Sequence, residues 1–563
     1  MSLFRNVGTI GGLTMVSRVA GMAREMIFSR VLGANAVTDA WFQAFIIPNV
    51  FRRLFAEGAF SAAFVPMFSK RLHGEGGLES ARSFSDDVLS VFLPVLIALA
   101  ALLELAMPGV IWLLADKPVD RESFEFAVGF ARIMFPYIVL VSLVTLFTGM
   151  LNSVSRFAPG ASFPIILNLV LIAALLVGER WIAAGATIEE TAYGLAWAVT
   201  AAGVMQLVWL YIWVRVEGFR PRLLWPRLTP EVKRLGIIAL PAAIGGGAYQ
   251  INTLVQLYFL NQLESGSVSY MNYADRLNQL PLGIIGIALS TAILPTLSKF
   301  VGGDNRAGAD RVQSDAIELA MLLTLPAAVA LAICGIPFVT MIFQGGRFDL
   351  ADAATTGTVL TALVMGLPAY VLVKVLVPNF YARADTRTPV YAAFAALGVF
   401  VALNLKIIGF EIGGGTVGGP VSLFGSTVIL PELTLPRLVV EGLGYGVVGI
   451  AVASAIGAWL NAAVLYAVLV ARRHYRMPGR LLLRIGRQLL AAAIMGAALW
   501  FARDLLDGYY AAGLFARFLA LAGLVLCAAT IYFGIAFAIG AVDRERLALL
   551  RRKRPSETAM TAD

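Results

Sequence analysis

The sequence predicts an all-α polytopic membrane protein with about fourteen transmembrane helices: two six-helix lobes related by a parallel pseudo-two-fold repeat, plus two extra C-terminal helices. Three observations support this class. Apolar residues are 59% and charged residues only 14% of the 563 residues, whereas soluble domains have about 45–50% and about 25%. Apolar stretches long enough to cross a bilayer recur along the whole chain. Finally, the two halves of the chain resemble each other.

Fourteen stretches are long and apolar enough to be spans, since a transmembrane helix needs about 20 predominantly apolar residues. Prolines inside several of them, including Pro136, Pro281 and Pro368, predict kinks. In chain order the predicted spans are residues 7–32, 37–68, 86–115, 123–152, 160–180, 188–216, 234–262, 267–298, 313–343, 352–382, 388–411, 441–471, 484–506 and 514–541.

An internal repeat divides the chain. The segment Phe64–Lys70 (FVPMFSK) matches Ile293–Lys299 (ILPTLSK), with Pro, Ser and Lys in register, and Pro136 is matched by Pro368. The shift covers six helices, so both halves insert with the same orientation and a site is expected between them. The predicted boundaries are an N-lobe at 1–217, a basic cytoplasmic linker at 218–233, a C-lobe at 234–473, helices 13 and 14 at 474–541, and a basic cytoplasmic tail at 542–563.

The distribution of charge and the small number of cysteines restrict the classes of function that the protein can have. Lysine and arginine are about four times as frequent in the loops and termini on one side, which predicts that both termini are cytoplasmic. The net charge of +9 therefore reflects topology rather than nucleic-acid binding. The two cysteines, Cys334 and Cys527, lie in apolar stretches and are predicted to be small core residues. We expect no metal or other cofactor, and without a P-loop motif ATP is not the expected energy source.

Nine cations remain inside the predicted spans. An arginine at the bilayer centre costs at least about 2.5–3.5 kcal/mol if it faces lipid, so these side chains need protein partners or a water-filled cavity. Those near span ends, Arg30, Arg132 and Lys406, could instead reach the surface. The full set is Arg18, Arg24, Arg30, Arg52, Arg53, Arg132, Arg276, Lys374 and Lys406.

Acidic partners for these cations are too few: the nearby acids are Glu25, Asp39, Glu57 and Asp275. Arg53 and Glu57 are spaced to pair on one helix face, and Asp39 could cap the second helix. Asp275 directly precedes Arg276, so their side chains diverge. A fully paired ion network is one interpretation. The other is a hydrated cationic cavity for an anion, and a pyrophosphate would match three or four arginines.

Several motifs resemble those of the lipid II flippases (the MurJ or MviN family). They are Ser17–Glu25 (SRVAGMARE), Leu32–Ala40 and, most closely, Pro48–Pro66 (PNVFRRLFAEGAFSAAFVP). The resemblance implies the fold of the multidrug/oligosaccharidyl-lipid/polysaccharide exporters. It also implies substrate-binding roles for Arg18, Arg24, Arg52, Arg276, Ser17 and Asn49, and sensitive positions at Asp39 and Glu57; Arg53 and Asp275 join these as gating or structural polar residues.

The resulting hypothesis is a transporter, not an enzyme. It would move lipid II, undecaprenyl-pyrophosphoryl-MurNAc-pentapeptide-GlcNAc, to the periplasmic leaflet of the bacterial inner membrane by alternating access, for peptidoglycan synthesis. Expected partners are lipid II, membrane lipids and the cell-wall synthesis machinery. One alternative is a flippase for another polyprenyl-pyrophosphate-linked oligosaccharide. Another is a lipid II glycosyltransferase, whose carboxylates would have to come from the outer loop 411–441.

Overall fold

The computed structural model describes residues 3–54, 60–74, 76–115, 121–412, 419–423, 426–430, 446–509 and 513–541. These residues are helical apart from their connections and one antiparallel hairpin, β1 (Gly419–Leu423) paired with β2 (Ser426–Leu430). The predicted helical membrane fold is confirmed, and the hairpin lies in the outer loop, where the sequence predicted no element.

Most of the helices follow one another with short connections; the longer ones join α9 to α10 and α17 to α18. Two short irregular helices interrupt the series, a π-helix at Leu282–Gly286 and a 3₁₀-helix at Arg503–Tyr509. The α-helices are α1 (Leu3–Leu32), α2 (Ala36–Leu54), α3 (Phe60–Leu72), α4 (Gly77–Leu105), α5 (Met107–Ala115), α6 (Arg121–Met134), α7 (Tyr137–Ser153), α8 (Ala158–Ala183), α9 (Ile188–Val216), α10 (Pro230–Leu260), α11 (Ser267–Pro281), α12 (Ile287–Gly302), α13 (Arg306–Ile333), α14 (Gly335–Phe343), α15 (Leu350–Val364), α16 (Leu367–Tyr381), α17 (Arg387–Ile412), α18 (Gly446–Ala471), α19 (Gly479–Ala502) and α20 (Leu514–Ala538).

Eleven helical stretches of the described residues have the length and apolar composition of a membrane span. They coincide with eleven of the fourteen predicted spans. The other three, 7–32, 37–68 and 234–262, are also helical where described, as α1 to α3 and α10. The count of fourteen therefore remains a prediction.

Prolines lie at three of the interruptions in the helical series. At Pro136 α6 ends and α7 begins, and its repeat partner Pro368 lies at the start of α16. Three other prolines predicted to kink helices, Pro48, Pro326 and Pro378, lie inside continuous helices. Pro281 is followed by the π-helix. Proline removes a backbone donor and clashes with the preceding turn, which explains these interruptions.

The chain forms two compact units. Unit 1 comprises Met1–Arg276, Ile342–Val359 and Ala393–Ser454. One of its apolar cores is an aromatic cluster in which Phe64 stacks on Phe60, Phe68 and Phe84. The predicted linker 218–233 is fastened to α4, because the Arg222 and Leu224 amides donate to the side chains of Asp86 (2.9 Å) and Ser90 (2.7 Å).

Unit 2 comprises Leu277–Met341, Leu360–Ala392 and Ala455–Asp563. Its apolar core includes Cys334, Phe338 and the small residues of α19, with Tyr532 of α20. Cys334 is buried as predicted, but Cys527 is exposed on α20, so the prediction of a core position was wrong there. In a membrane protein a small apolar side chain can face outward, because the surrounding lipid provides an apolar environment like that of a protein interior.

A capping carboxylate fixes the start of α17 in unit 2. Asp385 accepts from the Thr388 hydroxyl (2.6 Å) and amide (3.0 Å) and pairs with Arg472 at 2.6 Å. The Thr388 donors, with smaller help from Arg472, lower the pKa of Asp385 to about 2. Because the folded pKa lies below the ordinary 3.8, this group stabilises the fold above about pH 4, and the contribution disappears as the pH falls toward 2.

We expect Asp385→Asn to lower the stability by about 1 kcal/mol at pH 7. The difference from wild type should shrink between about pH 4 and pH 2, where the wild-type carboxylate loses its advantage. Thermal unfolding in detergent at several pH values measures this, with the exposed Glu179→Gln as control. A difference that is constant with pH would contradict the assignment.

Candidate functional site

Helix α1 sets two charged side chains on one face. Arg18 and Glu25 are seven residues apart, which is almost two full turns, so they share a face about 10 Å apart along the axis. Arg18 is partly buried, and within the described part of the chain it has no ion-pair partner. A partly exposed guanidinium within the apolar helix α1 is therefore left positive.

Glu25 is the centre of a three-residue ion cluster. Its Oε1 accepts from Arg24 Nη2 and lies 3.1 Å from Nε of Arg276, which comes from α11. The Glu25 side chain is 2% exposed and that of Arg24 is 10% exposed, whereas that of Arg276 is 36% exposed. One carboxylate serves two guanidiniums, so the cluster carries a net positive charge, and Arg276 is its accessible member.

Helix α2 holds a second pair. Arg52 Nε donates to Asn49 Oδ1 at 3.3 Å, and Asn49 Nδ2 donates to the Phe45 carbonyl at 3.0 Å. The amide thus orients the guanidinium from the preceding turn of the same helix. This contact positions the guanidinium of Arg52 through a neutral amide.

The remaining predicted residues are distributed around these groups. The Ser17 carbonyl accepts from Asn168 of α8 at 3.1 Å, which ties α1 to its neighbour. Asp275 is half-buried and precedes Arg276 on α11. Glu57 and the side chain of Arg53 lie outside the described residues. Among the side chains that are described, no group of three or more His, Cys, Asp or Glu could hold a metal ion.

Asp39 caps a helix, but not the one predicted. Its carboxylate accepts from the Gly266 amide at 2.6 Å and the Ser269 amide at 2.8 Å, and also from the Ser269 hydroxyl. These donors are the free amides at the start of α11, where a negative charge is favourable. Asn35 caps α2 instead, accepting from Val37 and Thr38 amides, each at 3.1 Å.

Asp39→Ala is expected to destabilise the protein by about 1–3 kcal/mol, because it leaves three donors without their acceptor. Asp39→Asn should lose less, since one side-chain oxygen remains. Chemical or thermal unfolding in detergent measures both, with Glu179→Ala as an exposed control. Equal stability of wild type and Asp39→Ala would refute the capping role.

The end of α1 is joined closely to the turn that follows α14. The Arg347 amide donates to the Arg30 carbonyl at 2.9 Å, and Ser29 Oγ donates to the Phe343 carbonyl at 3.2 Å. Gly346 has φ +56°, and a Cβ there would lie 2.2 Å from the Arg30 carbonyl oxygen. Only glycine permits this approach. Backbone contacts therefore hold the end of α1, near Asp39, against the turn that follows α14.

Comparison with known proteins identifies the family. The family model described as lipid II flippase MurJ matches residues 28–521. The chain belongs to the lipid II flippase MurJ family. A probable lipid II flippase MurJ of Rhizobium meliloti is 41% identical, with 98% of this chain and 96% of the relative covered. A lipid II flippase MurJ of Burkholderia cenocepacia is 32% identical, with 96% and 98% covered.

The fold of this chain is also found in solved structures. A lipid II flippase MurJ in an inward closed conformation superimposes with a TM-score of 0.72 at 21% identity, covering 96% of this chain and 99% of that one. A multidrug resistance MATE family transporter of the MOP superfamily, in an inward-facing conformation, matches with a TM-score of 0.58 at 15% identity, covering 82% and 97%. The protein is thus an integral membrane protein with a transporter fold, and the glycosyltransferase alternative has no support.

Sequence reasoning overlooked three residues of this MurJ-family site. Asn168 was visible as a polar residue in the middle of a predicted span, a position where polar groups are expensive. Gly266 and Ser269 gave no signal, because a helix start that is capped from another helix leaves no local pattern. Glu25 was recognised only as a nearby acid, although it is the residue that joins Arg24 and Arg276.

Proposed function

We propose that this protein moves lipid II from the cytoplasmic to the periplasmic leaflet, with the pyrophosphate bound by Arg18, Arg24, Arg52 and Arg276. The proposal depends on one observation. In this chain of the MurJ family, the described guanidinium groups of the apolar helices are more numerous than the carboxylate that pairs with them. Two arginines share the single carboxylate of Glu25, and Arg18 on the same helix has no described ion-pair partner. A doubly charged pyrophosphate supplies the missing negative charge.

The arginines would differ in what they do. Arg276 and Arg18 are the accessible cations and would grip phosphate oxygens directly, since a guanidinium fork matches two oxygens at once. Arg24 is largely buried against Glu25, so it would add positive charge to the pyrophosphate site and also set the position of that carboxylate. Arg52, oriented by Asn49, would add a third contact. Ser17 would help hold α1 in place through its carbonyl.

Transport would follow alternating access between the two proposed lobes, 1–217 and 234–473. We place the protein in the bacterial inner membrane with both termini cytoplasmic, following the excess of Lys and Arg on that side. The C-terminal end of α1 and the nearby Asp39 of α2 then lie on the periplasmic side. The contacts of Asp39 with Gly266 and Ser269 would have to open for the substrate to be released. Asp275, Arg53 and Glu57 would belong to this gating set. The cell-wall synthesis machinery is the proposed destination of the substrate.

Leaflet transfer in liposomes tests the function. Purified protein is reconstituted with lipid II, and the fraction exposed on each leaflet is followed over time. We expect transfer without covalent change, and much slower transfer of a monophosphate-linked lipid, because half of the negative charge is missing. A polyprenyl pyrophosphate carrying another oligosaccharide tests the main alternative. If lipid II does not cross faster than in empty liposomes, the proposal is wrong.

A further inference from the structure

The connection between α9 and α10 exposes three large apolar side chains. From the end of α9 at Val216 to the start of α10 at Pro230 the chain is not helical, and residues 218–229 are called the linker segment below. Within it, Leu223, Trp225 and Leu228 are 63%, 83% and 78% exposed. Exposed apolar side chains grouped in this way indicate a surface that contacts lipid or another protein.

The linker segment is nevertheless held firmly on α4 of the same unit. Its first aromatic residue, Phe219, is buried in the aromatic core, with its ring centroid 5.5 Å from that of Phe68. Three residues of α4, spaced by four, then contact its backbone. The contacts are those of Arg82 with the Gly218 carbonyl, Asp86 with the Arg222 amide and Ser90 with the Leu224 amide. The backbone therefore fixes where the exposed side chains lie.

These contacts also give the direction in which the linker segment runs. Helix α4 begins on the predicted cytoplasmic side, so the order Arg82, Asp86, Ser90 leads toward the bilayer. The distance from Arg82 to Ser90 along the helix axis is about 12 Å. The predicted span of this helix starts at residue 86, which places Leu224, bound at Ser90, about 6 Å inside it. The linker segment thus enters the membrane interface instead of staying in the cytoplasm.

The face of α4 that the linker segment covers is apolar and exposed beyond it. Pro94 and Ile97 follow Ser90 by four and seven residues, so they lie on the same face, one and two turns further into the span. Both side chains are exposed. Lipid contacts an exposed apolar face of a membrane span, and tryptophan is enriched where the span meets water. Lipid is therefore the neighbour that continues from Ile97 to Trp225.

The charge of the linker segment favours a negatively charged lipid. Its sequence contains three arginines and no acidic residue. The arginines, all exposed, are Arg220, Arg222 and Arg227. The flanking acids are already paired inside unit 1, Glu217 with Arg156 at 2.8 Å and Glu231 with Arg71 at 3.6 Å. The positive charge is thus left for phosphate groups at the membrane surface.

We infer that the linker segment is a binding site for anionic phospholipid headgroups in the cytoplasmic leaflet. Leu223, Trp225 and Leu228 insert between the lipids, and the three arginines bind the headgroup phosphates. The inference goes beyond the proposed function, and only the choice of leaflet rests on the proposed orientation. It replaces the prediction of a solvated basic connection with a membrane anchor between the two proposed lobes.

The depth of the linker segment is tested with a fluorophore on Trp225→Cys. The background is Cys527→Ser, which removes the exposed cysteine and leaves Cys334 buried. Glu79→Cys is the control, because Glu79 is exposed on α4 about 16 Å before Ser90 on the cytoplasmic side. In liposomes we expect a spin label near the lipid headgroup to quench the fluorophore at position 225, and aqueous iodide to quench the one at position 79.

The headgroup preference is tested with Arg222→Gln/Arg227→Gln, which keeps the backbone contacts of the linker segment. Binding of phosphatidylglycerol and phosphatidylcholine to the purified protein is measured by native mass spectrometry. Each arginine at an anionic surface contributes about fivefold in affinity, so we expect phosphatidylglycerol to bind at least tenfold more weakly. Arg121→Gln/Arg180→Gln removes two exposed charges on the opposite predicted side and should match wild type.

Three results would overturn the inference. Iodide quenching at position 225 as strong as at position 79 would place the linker segment in water. Protection of position 225 from both quenchers would mean that protein, such as a second copy of the chain, covers it. Equal phosphatidylglycerol affinity of wild type and Arg222→Gln/Arg227→Gln would show that these arginines bind no headgroup.

Discussion

Replacing Arg18 with alanine is expected to reduce lipid II transport at least a hundredfold while the protein still folds and inserts. Arg18 has no described ion-pair partner, so its removal breaks no ion pair in the described structure. What is lost is a bidentate contact to phosphate, in which each charge-assisted hydrogen bond contributes about 1.5–3 kcal/mol. Two such bonds correspond to at least a hundredfold in affinity. Initial rates of leaflet transfer in liposomes measure the effect.

Arg18→Lys separates geometry from charge. Lysine keeps the positive charge but offers a single compact ammonium, so we expect only partial recovery of transport. Arg121→Ala is a suitable control, because the Arg121 side chain is 89% exposed and pairs with the exposed Glu125 on its own helix. Full activity of Arg18→Ala at unchanged protein level would remove Arg18 from the site. Full activity of Arg18→Lys would show that charge alone suffices.

The helical fold could be predicted because its cause is local. Long apolar stretches must be helical in a bilayer, where each backbone amide needs a partner within its own segment. Helix breaks at Pro136 and Pro368 follow from the missing backbone donor of proline. The π-helix after Pro281 could not be predicted in the same way, because no pattern of neighbouring residues marks a π-turn.

The candidate site could be predicted as a list of charges but not as an arrangement. The expense of burying charge drew attention to nine intramembrane cations, and the family resemblance singled out Arg18, Arg24, Arg52 and Arg276 among them. Which carboxylate meets which arginine depends on contacts between distant segments, such as Arg276 on α11 with Glu25 on α1. The same reason explains why Asp39 was assigned to the wrong helix: capping rules consider neighbours in sequence, whereas its partners are Gly266 and Ser269.

Glu25→Ala is expected to be the most destabilising single change in this cluster, costing about 3–5 kcal/mol. The carboxylate is almost fully buried between Arg24 and Arg276, so its loss leaves a buried guanidinium without a counter-charge. Such a cost is a large part of the net stability of a folded protein, about 5–15 kcal/mol. Unfolding in detergent, by heat or by denaturant, measures it. Glu125→Ala, at the exposed pair with Arg121, should cost less than about 1 kcal/mol.

The double variant Arg24→Gln/Glu25→Gln then distinguishes pairing from burial. It removes one positive and one negative charge together and keeps two amides that can bond to each other, so we expect most of the stability lost in Glu25→Ala to return. Arg276 keeps its charge in this variant but loses the carboxylate that holds it. Transport should therefore stay impaired even though folding is restored. If the double variant is as unstable as Glu25→Ala, the cluster is held by packing rather than by its charges, and Arg24 would no longer be the residue that positions Glu25.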